Sequence, residues 1–476
     1  MIKKLTFICV LISLFSSCKR EEINHETAPE STGGFFAQLS IAGYWDMGLA
    51  VGENSDMYVV GTTGRFAAGE SLDFGGQIVK AGGGEDAFIA KYDPRGKIVW
   101  AKTLGDEGTE AGLSIAVDAE RNIYAACRFR DSTTIEGVKF KARPMVNSSG
   151  TPNWHDLVLA KFDPNGKHIW SKQISGVGYE TLASIRIGTD GRIFVSGEFN
   201  DNIFFDNLSF NTQGSGFYVA CFSKEGKVEW AKPYGQGPTS TRGGSIYSSN
   251  MKLMKNGEII IAGSYEGRKQ IGTTVLETKG DQDAFIAKLD THGNAVWTKS
   301  FGSAGSENVR GLSIDENDNI YIGGYFSGGF GKGPIVIDNY TFITPTLAAD
   351  AFLARFNSAG TLIWASQVSG TGEEYIFDLA RHDRKLYVLG YFTDKLYLGD
   401  SVLQSHAIIN TFLAEYSDSG KLTKVDTLGN LAATGRKIFV DRNDSKIIIG
   451  NFHNYYNFNG LLYPSKGQND IFLVKF

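Results

Sequence analysis

Residues Asp283-Ala-Phe-Ile-Ala-Lys-Leu289 decide the fold, because the same short pattern returns along the chain. An acidic or small residue is followed by aromatic and aliphatic residues, a composition typical of a buried β-strand. Seven copies occur, at residues 86–92, 156–162, 216–222, 283–289, 350–356, 410–416 and 470–476. Their first residues are 70, 60, 67, 67, 60 and 60 positions apart. Self-similarity at nearly constant spacing predicts a repeat architecture.

A second motif supports this interpretation. It consists of apolar residues followed by Gly-x-aromatic, and it also occurs seven times. Its glycine position falls at Gly61, Cys127, Gly197, Gly263, Gly324, Gly390 and Gly450. Two independent motifs with the same count define seven repeats, which we number in chain order.

Each repeat is expected to contain four strands, which we name A to D. Strand A resembles residues 113–118, strand B residues 320–326, strand C is the repeated acidic motif, and strand D resembles residues 98–103. The turn between strands C and D, Asp93-Pro-Arg-Gly96, has Pro and Gly at positions that favour a tight reversal. No helical hydrophobic period separates the strands. The pattern therefore predicts an all-β protein, a seven-bladed β-propeller of four-stranded antiparallel blades.

The ring is expected to close with an N-terminal strand. The seventh repeat ends with strand C, residues 470–476, and has no strand D after it. Residues 35–40 are an apolar strand without strands A to C before it. We therefore expect residues 35–40 to supply the missing strand and to remove the exposed sheet edges. The predicted propeller domain is 34–476.

Residues 1–17 have the features of a secretory signal peptide. Lys3 and Lys4 precede an apolar run at 5–15 that is too short to span a bilayer. The segment Leu14-Phe15-Ser16-Ser17-Cys18 resembles a bacterial lipobox, and this resemblance implies a lipid anchor on Cys18. Ordinary cleavage and release of the chain is the alternative.

Residues 18–33 are expected to form the lipidated cysteine and a flexible tether, because they are polar and rich in turn-forming residues. Lys19-Arg20-Glu21-Glu22 resembles the export signal of surface lipoproteins in Bacteroidota. We therefore expect an outer-membrane protein exposed at the cell surface, with the periplasmic leaflet as the alternative. Contact with the membrane would be through the lipid alone, and the protein is expected to be a monomer.

Composition excludes several classes of protein. The 476 residues are 42% hydrophobic, enough for a large core and too many for global disorder. Lys and Arg number 47 and Asp and Glu number 52, which argues against nucleic acid as a partner. Beyond residue 18 only Cys127 and Cys221 remain, so no disulfide framework is predicted.

The repeats resemble a known family, the SBBP-type seven-bladed β-propeller repeat, here in a Bacteroidota-like lipoprotein. The resemblance is carried by residues 319–325, Asn-Ile-Tyr-Ile-Gly-Gly-Tyr, by residues 283–288, and by the Gly293-to-Trp297 stretch. It covers nearly the whole chain after the signal peptide. It implies the fold and says little about function, since one fold hosts many functions.

A carboxylate recurs between strand D of one repeat and strand A of the next. The four residues are Glu110, Glu180, Glu307 and Glu374. If these loops open near the central channel, the residues form a channel-face ring of carboxylates that binds a cation. The alternative is that each one satisfies backbone N–H groups of its own loop.

Two variable segments are candidates for contact with a ligand or partner. The long insertion of repeat 2 contains Arg143, Asn153, Trp154 and His155, and repeat 7 contains His453, Tyr455 and Tyr456. Exposed aromatic side chains beside Asn or Arg suit carbohydrate stacking or a protein hot spot. The alternative is that they cover the rim of a blade.

No catalytic residues, metal site or cofactor are predicted. The histidines lack zinc-ligand spacing, and no nucleophile elbow is present. Asp315-x-Asn317-x-Asn319 faintly resembles a Ca²⁺ loop but lacks its later Gly and bidentate Glu. The leading hypothesis is a non-catalytic binding or scaffold module for a protein or glycan of the cell envelope. The alternatives are a carbohydrate-active enzyme that uses the channel carboxylates, and a purely structural envelope protein.

Overall fold

The computed structural model describes most of the chain beyond residue 33. The described residues are 34–39, 47–66, 68–106, 108–143, 145–146, 152–153, 155–178, 180–236, 245–327, 334–344, 348–405, 409–428, 433–465 and 470–476. The predicted signal peptide, the anchor Cys18, the tether 18–33 and Trp154 lie outside them. Those expectations remain predictions.

The described residues form strands and turns and contain no helix. The strands up to residue 176 are β1 Phe35–Leu39, β2 Met47–Val51, β3 Met57–Phe66, β4 Ser71–Asp73, β5 Ile78–Lys80, β6 Gly84–Tyr92, β7 Ile98–Leu104, β8 Glu110–Val117, β9 Ile123–Arg130, β10 Ser132–Ile135, β11 Val138–Lys141, β12 Met145–Val146, β13 Pro152–Asn153, β14 His155–Phe162 and β15 His168–Gly176. The next group is β16 Ser184–Ile187, β17 Ile193–Phe205, β18 Leu208–Phe222, β19 Val228–Tyr234, β20 Ile246–Leu253, β21 Ile259–Tyr265, β22 Arg268–Ile271, β23 Thr274–Glu277, β24 Asp283–Leu289, β25 Ala295–Phe301, β26 Ser306–Ile314, β27 Ile320–Ser327, β28 Ile335–Ile337 and β29 Tyr340–Phe342. The last group is β30 Ala349–Phe356, β31 Leu362–Gly370, β32 Glu374–His382, β33 Lys385–Phe392, β34 Lys395–Leu398, β35 Ser401–Gln404, β36 Asn410–Ser417, β37 Leu422–Leu428, β38 Ala433–Val440, β39 Lys446–Phe452, β40 Tyr455–Phe458, β41 Leu461–Pro464 and β42 Asp470–Lys475.

The strands pair into antiparallel sheets in a propeller-like arrangement. Within the described residues, four sheets have four strands each, in the orders β2-β3-β6-β7, β20-β21-β24-β25, β32-β33-β36-β37 and β1-β42-β39-β38. A six-stranded sheet contains β26-β27-β30-β31 followed by the hairpin β34-β35. An eight-stranded sheet contains β8, β9, β14 and β15 together with β16 to β19. The all-β prediction is confirmed.

The core lies between consecutive sheets. Strands B and C are almost completely buried because both of their faces meet a neighbouring sheet, as at β21 and β24. One apolar cluster joins the first and last repeats, with Met57 and Val59 packed near Ile449 and Leu473. Such packing explains why these strands are rich in small and β-branched residues, which allow close contact of sheets.

The N-terminal strand pairs with the last strand of the chain, as predicted. Phe35 to Leu39 pair antiparallel with residues 471–475, and Phe35 lies opposite Lys475. Trp100, Trp170, Trp297 and Trp364 occupy the same register opposite Lys or Arg in their own repeats. Residue 40 lies outside the described residues, so the pairing is confirmed for 35–39.

The segment between strands B and C is more regular than the sequence indicated. In most repeats it forms a small β-hairpin, such as β4-β5, β10-β11, β22-β23 or β40-β41. Asp or Asn residues with positive φ lie just before these hairpins, as Asp131 does, or in the turn between their two strands, as Asp338 and Asn459 do. Residue types that tolerate left-handed φ therefore encode a structure that hydrophobic periodicity does not reveal.

Two further observations concern the cysteines and membrane-spanning helices. Cys127 and Cys221 are both buried and free, so they form no bridge with each other. Within the described part of the chain, no helix is long and apolar enough to cross a membrane.

Candidate functional site

Strand A carries a recurring irregularity. Its pairing with strand B shifts register by one residue at the same level in five repeats. The inserted residues are Leu113, Ser249, Arg310, Phe377 and Arg436. A β-bulge of this kind redirects one side chain without disturbing the rest of the strand, and bulges are frequent beside binding sites. The five inserted residues are of four different types, with arginine in two repeats, whereas the strands around them are similar.

Three of the inserted residues line one cavity of about 510 Å³, which we call the central cavity. Its described lining consists of Met47, Tyr247, Gln282, Asn308, Arg310, Tyr325, Phe377, Arg436 and Lys437. These residues come from five different strands A, namely β2, β20, β26, β32 and β38, and from adjoining segments. Five repeats can line one cavity only where their strands A lie close to one another.

The central cavity combines positive charge with aromatic surface. The guanidinium carbon of Arg310 lies 5.6 Å from the ring centroid of Tyr325 and 5.8 Å from that of Phe377. The guanidinium carbon of Arg436 lies 4.5 Å from the Phe377 centroid. Tyr375 extends this aromatic surface, with its ring centroid 4.3 Å from that of Tyr325. No Asp or Glu occurs among the described lining residues.

Further charged side chains lie on the strands A that carry or neighbour the inserted residues. Burial, together with the charges of Arg186 and Lys437, lowers the pKa of the Lys252 amine to about 7. Burial also lowers the pKa of Arg186 to about 10, and Asp378 partly opposes both shifts. These four residues lie on β16, β20, β32 and β38. Strands A of four repeats thus contribute charged side chains that act on one another, and three of the four are basic.

The predicted carboxylates Glu110, Glu180, Glu307 and Glu374 are all fully buried. The backbone N–H of Gly178 donates to Glu180 Oε1 at 2.9 Å, and that of Ser303 donates to Glu307 Oε2 at 3.0 Å. For Glu180 and Glu307 these contacts agree with the alternative interpretation, in which the carboxylate satisfies its own loop. The buried side-chain oxygens of Glu110 and Glu374 have no hydrogen-bond partner among the described residues. That they face a channel and bind a cation stays a prediction.

Each of these glutamates is paired with the aspartate that begins the preceding strand C. The pairs are Asp86 with Glu110, Asp156 with Glu180, Asp283 with Glu307, and Asp350 with Glu374. Each glutamate follows its aspartate by 24 residues. Where strand C begins with Gly216 or Asn410, the corresponding strand A position is Ile246 or Ala433. The two acids are thus both present or both absent in these repeats.

Burial beside a second carboxyl group favours the protonated form of each glutamate. Burial, and then the charge of Asp350, raises the pKa of Glu374 to about 9. Burial and Asp156 raise the pKa of Glu180 to about 9. Burial raises the pKa of Glu110 to about 8 and that of Glu307 to about 7. Two carboxyl groups in a low-dielectric site cannot both ionise without a large free-energy cost.

The insertion of repeat 2 is only partly described. Its backbone N–H at Arg143 donates to Asp156 at 3.1 Å, and the guanidinium carbon lies 4.0 Å from the Phe204 ring centroid. Asn153 pairs with Met145 in a short β-ladder, and the partly buried His155 begins β14. Arg143 and Phe204 line a separate cavity of about 380 Å³.

The three candidates of repeat 7 have different environments. His453 is exposed, and Tyr455 is 48% exposed on the outer hairpin. Tyr456 is only 2% exposed, and its ring centroid lies 4.9 Å from that of Phe36 and 4.6 Å from that of Phe472. Tyr456 therefore packs in the core and has no surface to offer a ligand, because alternate residues of the hairpin point inward.

Asp315 shapes a turn. Its Oδ1 accepts hydrogen bonds from the backbone N–H groups of Asn317 at 2.9 Å and Asn319 at 2.8 Å. Its Oδ2 accepts from the Tyr321 hydroxyl at 3.1 Å. Within the described ranges, no group of three or more His, Cys, Asp or Glu side chains is placed to hold a metal ion.

Sequence reasoning missed Arg310, Phe377 and Arg436. Each follows a predicted loop carboxylate or its equivalent by three positions, in a segment where the repeats otherwise agree. Aligning the repeats and asking which strand positions vary would have indicated them.

No protein-family model matches the chain. The chain is 25% identical over 471 residues to the uncharacterized WD repeat-containing protein L264 of Acanthamoeba polyphaga mimivirus, covering 82% of this chain and 33% of that protein. It is 21% identical over 360 residues to the regulatory protein FlaEY of Caulobacter vibrioides, covering 71% of this chain and 36% of that protein. The chain thus spans about a third of the length of each.

Solved structures are similar only in outline. A subtype N10 neuraminidase-like protein of a little yellow-shouldered bat virus is 9% identical, with a TM-score of 0.37 over 92% of this chain and 98% of that one. The sequence similarity is thus a weak one to a WD repeat-containing protein, and the antiparallel sheets themselves have a β-propeller-like arrangement.

Proposed function

We propose that the chain is a non-catalytic binding module that recognises a protein or glycan of the cell envelope through the face that contains the central cavity. One observation carries the proposal. A bulge repeated in five strands A inserts residues of four different types, arginine twice, and three of the five inserted residues line a single cavity. A regular scaffold with variation confined to one opening is the arrangement expected of a recognition surface.

The scaffold we propose is a closed seven-bladed propeller of four-stranded blades. The eight-stranded sheet divides into two such units, β8-β9-β14-β15 and β16 to β19, and the six-stranded sheet contains one. The pairing of β1 with β42 supplies the fourth strand of the last unit. The apolar cluster that joins the first and last repeats supports closure.

The location we propose rests on the sequence. Lys3, Lys4, the apolar run 5–15 and Cys18 support a lipid anchor, and Lys19-Arg20-Glu21-Glu22 supports display at the surface of the outer membrane. The SBBP-type resemblance of the repeats is compatible with this location. The protein would act as a monomer on a flexible tether.

The enzyme alternative is less well supported by the contacts. Glu110, Glu180, Glu307 and Glu374 are each fully buried against an aspartate and their own loop. A glycosidase requires two acids that flank an open cleft and reach the scissile bond. Glu180 and Glu307 instead accept hydrogen bonds from backbone N–H groups of their own loops.

Affinity capture of the tagged full chain from native membranes, followed by identification of stoichiometric partners and bound glycans, tests the proposal. Phe377→Ala opens the floor of the central cavity, and Tyr455→Ala alters an exposed ring on an outer hairpin. We expect a ligand that the wild type and Tyr455→Ala retain and that Phe377→Ala loses. Equal retention by both variants would place recognition elsewhere.

A further inference from the structure

The chemistry of the central cavity defines a ligand class. Arg310 is exposed, Arg436 is partly buried, and both guanidinium groups lie beside the Phe377 ring. Lys437, the residue after the bulge, adds a third cation to the same lining. Guanidinium groups present planar, paired donors that match the oxygens of a carboxylate or sulfate.

Two further basic residues, Arg186 and Lys252, lie on strands A but outside the described lining of the central cavity. Arg186 and Lys252 lie at equivalent positions of adjacent strands A, opposite Phe194 and Ile260 respectively. Asp378 is the acid that acts on both, and it also accepts the backbone N–H of Ile438 at 3.1 Å. The charges of Arg186 and Lys437 also disfavour protonation of Lys252, and an anion in the central cavity, which Lys437 lines, would reduce the repulsion among these three cations.

The remaining lining residues suit a sugar. Tyr325 and Tyr247 provide partly buried aromatic surface, and Gln282 and Asn308 provide amide groups. Aromatic faces stack against the C–H faces of sugar rings, while amides and phenol hydroxyls exchange hydrogen bonds with sugar hydroxyls. The volume of about 510 Å³ lies in the usual range of ligand pockets and accommodates a short oligosaccharide.

We propose that the central cavity binds an acidic saccharide, with a sugar ring against the aromatic side chains and its carboxylate or sulfate group between Arg310 and Arg436. This inference rests on the proposed function and adds the chemical class of the ligand. An acidic peptide is the competing class. The carboxylates of such a peptide would pair with the arginines, but its backbone would make fewer contacts with the aromatic rings and side-chain amides than a sugar ring does.

Calorimetric titration of the full chain in detergent tests the inference. The probes are trigalacturonate, sulfated maltotriose, neutral maltotriose and pentaglutamate. We expect one or both acidic saccharides to bind at least about tenfold more tightly than neutral maltotriose and pentaglutamate, since charged hydrogen bonds and stacking act together. The two acidic probes distinguish a carboxylate from a sulfate ligand.

Variants connect binding to the cavity. Arg310→Ala and Arg436→Ala should each weaken binding about tenfold to hundredfold, and Arg310→Lys should weaken it less because the charge remains. Arg95→Ala is the matched control, since its side chain is 87% exposed on a turn outside the cavity. Thermal melting of each variant verifies that the fold is retained.

Three results would overturn the inference: no acidic saccharide binds, neutral maltotriose or pentaglutamate binds as tightly, or the arginine variants bind like the wild type. A partner captured from membranes and lost in Phe377→Ala, without acidic-saccharide binding, would leave the proposed module function intact. The ligand class alone would then be refuted.

Discussion

The ring of Phe35, in the first described strand, packs directly against Gly96 in the turn between strands C and D of repeat 1. Elsewhere a tryptophan of strand D packs on the equivalent glycine of the next repeat, as Trp100 does on Gly166 and Trp364 on Gly420. Gly96 has a φ of +79°, and a Cβ there would collide with the Phe35 ring. Phe35 therefore makes, between the last and first repeats, the contact that tryptophans make between the others.

This contact predicts that Phe35 stabilises closure. Phe35→Ala removes a partly buried ring and should lower the free energy of unfolding by ~2 kcal/mol. Val99→Ala, at a position 51% exposed on strand D, should have almost no effect. Urea denaturation of both variants measures the difference. A Phe35→Ala variant as stable as the wild type would show that the contact does not hold the repeats together.

The buried acid pairs predict a stability that falls as the pH rises. The pKa of Glu374 is raised to about 9 in the folded chain, so the folded state binds a proton that the unfolded state has released above its ordinary pKa. The stabilising contribution is complete below about pH 4.5 and is lost as the pH approaches 9. Glu374→Gln, which mimics the protonated acid, should reduce the decline in melting temperature between pH 5.5 and 8.5.

Glu316→Gln provides the control for the acid pair, because Glu316 is exposed on a turn. It should leave the pH dependence of the melting temperature unchanged. Identical pH profiles for the wild type and Glu374→Gln would show that Glu374 ionises normally in the folded protein. Glu180→Gln should behave like Glu374→Gln, since the pKa of Glu180 is also raised to about 9.

Substitution of the two adjacent tyrosines Tyr455 and Tyr456, on the last outer hairpin, should have very different effects on the stability of the protein. Tyr456→Ala removes a buried ring that contacts Phe36 and Phe472, and should destabilise the protein by about 3 kcal/mol. Tyr455→Ala alters a side chain that is 48% exposed and should change stability by less than about 0.5 kcal/mol. Thermal unfolding of the pair distinguishes core packing from surface exposure. Similar losses of stability would contradict the described burial.

Ligand affinity should depend on pH through Lys252. Burial and neighbouring cations lower the pKa of this amine to about 7, and an anion in the central cavity would raise it again. Binding then takes up a proton above pH 7, so affinity should fall between pH 7 and 9. Calorimetry in buffers of different ionisation enthalpy detects the proton uptake. Lys252→Met should abolish it, and proton uptake that persists in this variant would assign it to another group.

The proposed lipid anchor on Cys18 can be tested by its effect on the location of the protein. Cys18→Ser should prevent incorporation of labelled palmitate and release the chain from the outer-membrane fraction. Cys127→Ser, at a buried free thiol, should leave the labelling intact. Labelling that persists in Cys18→Ser would show that Cys18 is not the lipidated residue.

Repetition made the strands predictable. The pattern of residues 283–289 and its copies matches strands such as β6, β24 and β42, because a strand buried on both faces leaves a continuous apolar run. The pairing of residues 35–39 with the last strand also followed from counting strands. The outer hairpins were not foreseen because single Asp or Asn residues with positive φ define them.

The site was less predictable for a physical reason. Arg310, Phe377 and Arg436 are far apart in sequence, and they meet only because a one-residue bulge aims each of them at the same space. Hydrophobic patterns do not report a register shift of one residue. The recurrent glutamates were visible, but their pairing with aspartates of the preceding strand C required two repeat positions to be compared together.

The most direct test of the account is site-specific photo-crosslinking in living cells. A photoreactive phenylalanine analogue replaces Phe377 in the central cavity in one strain and Tyr455 on the outer hairpin in another. We expect a discrete covalent adduct with an envelope component from position 377, absent from position 455 and reduced when Arg310→Ala is added. Adducts from position 455 with none from position 377 would contradict the claim that the central cavity is the recognition site.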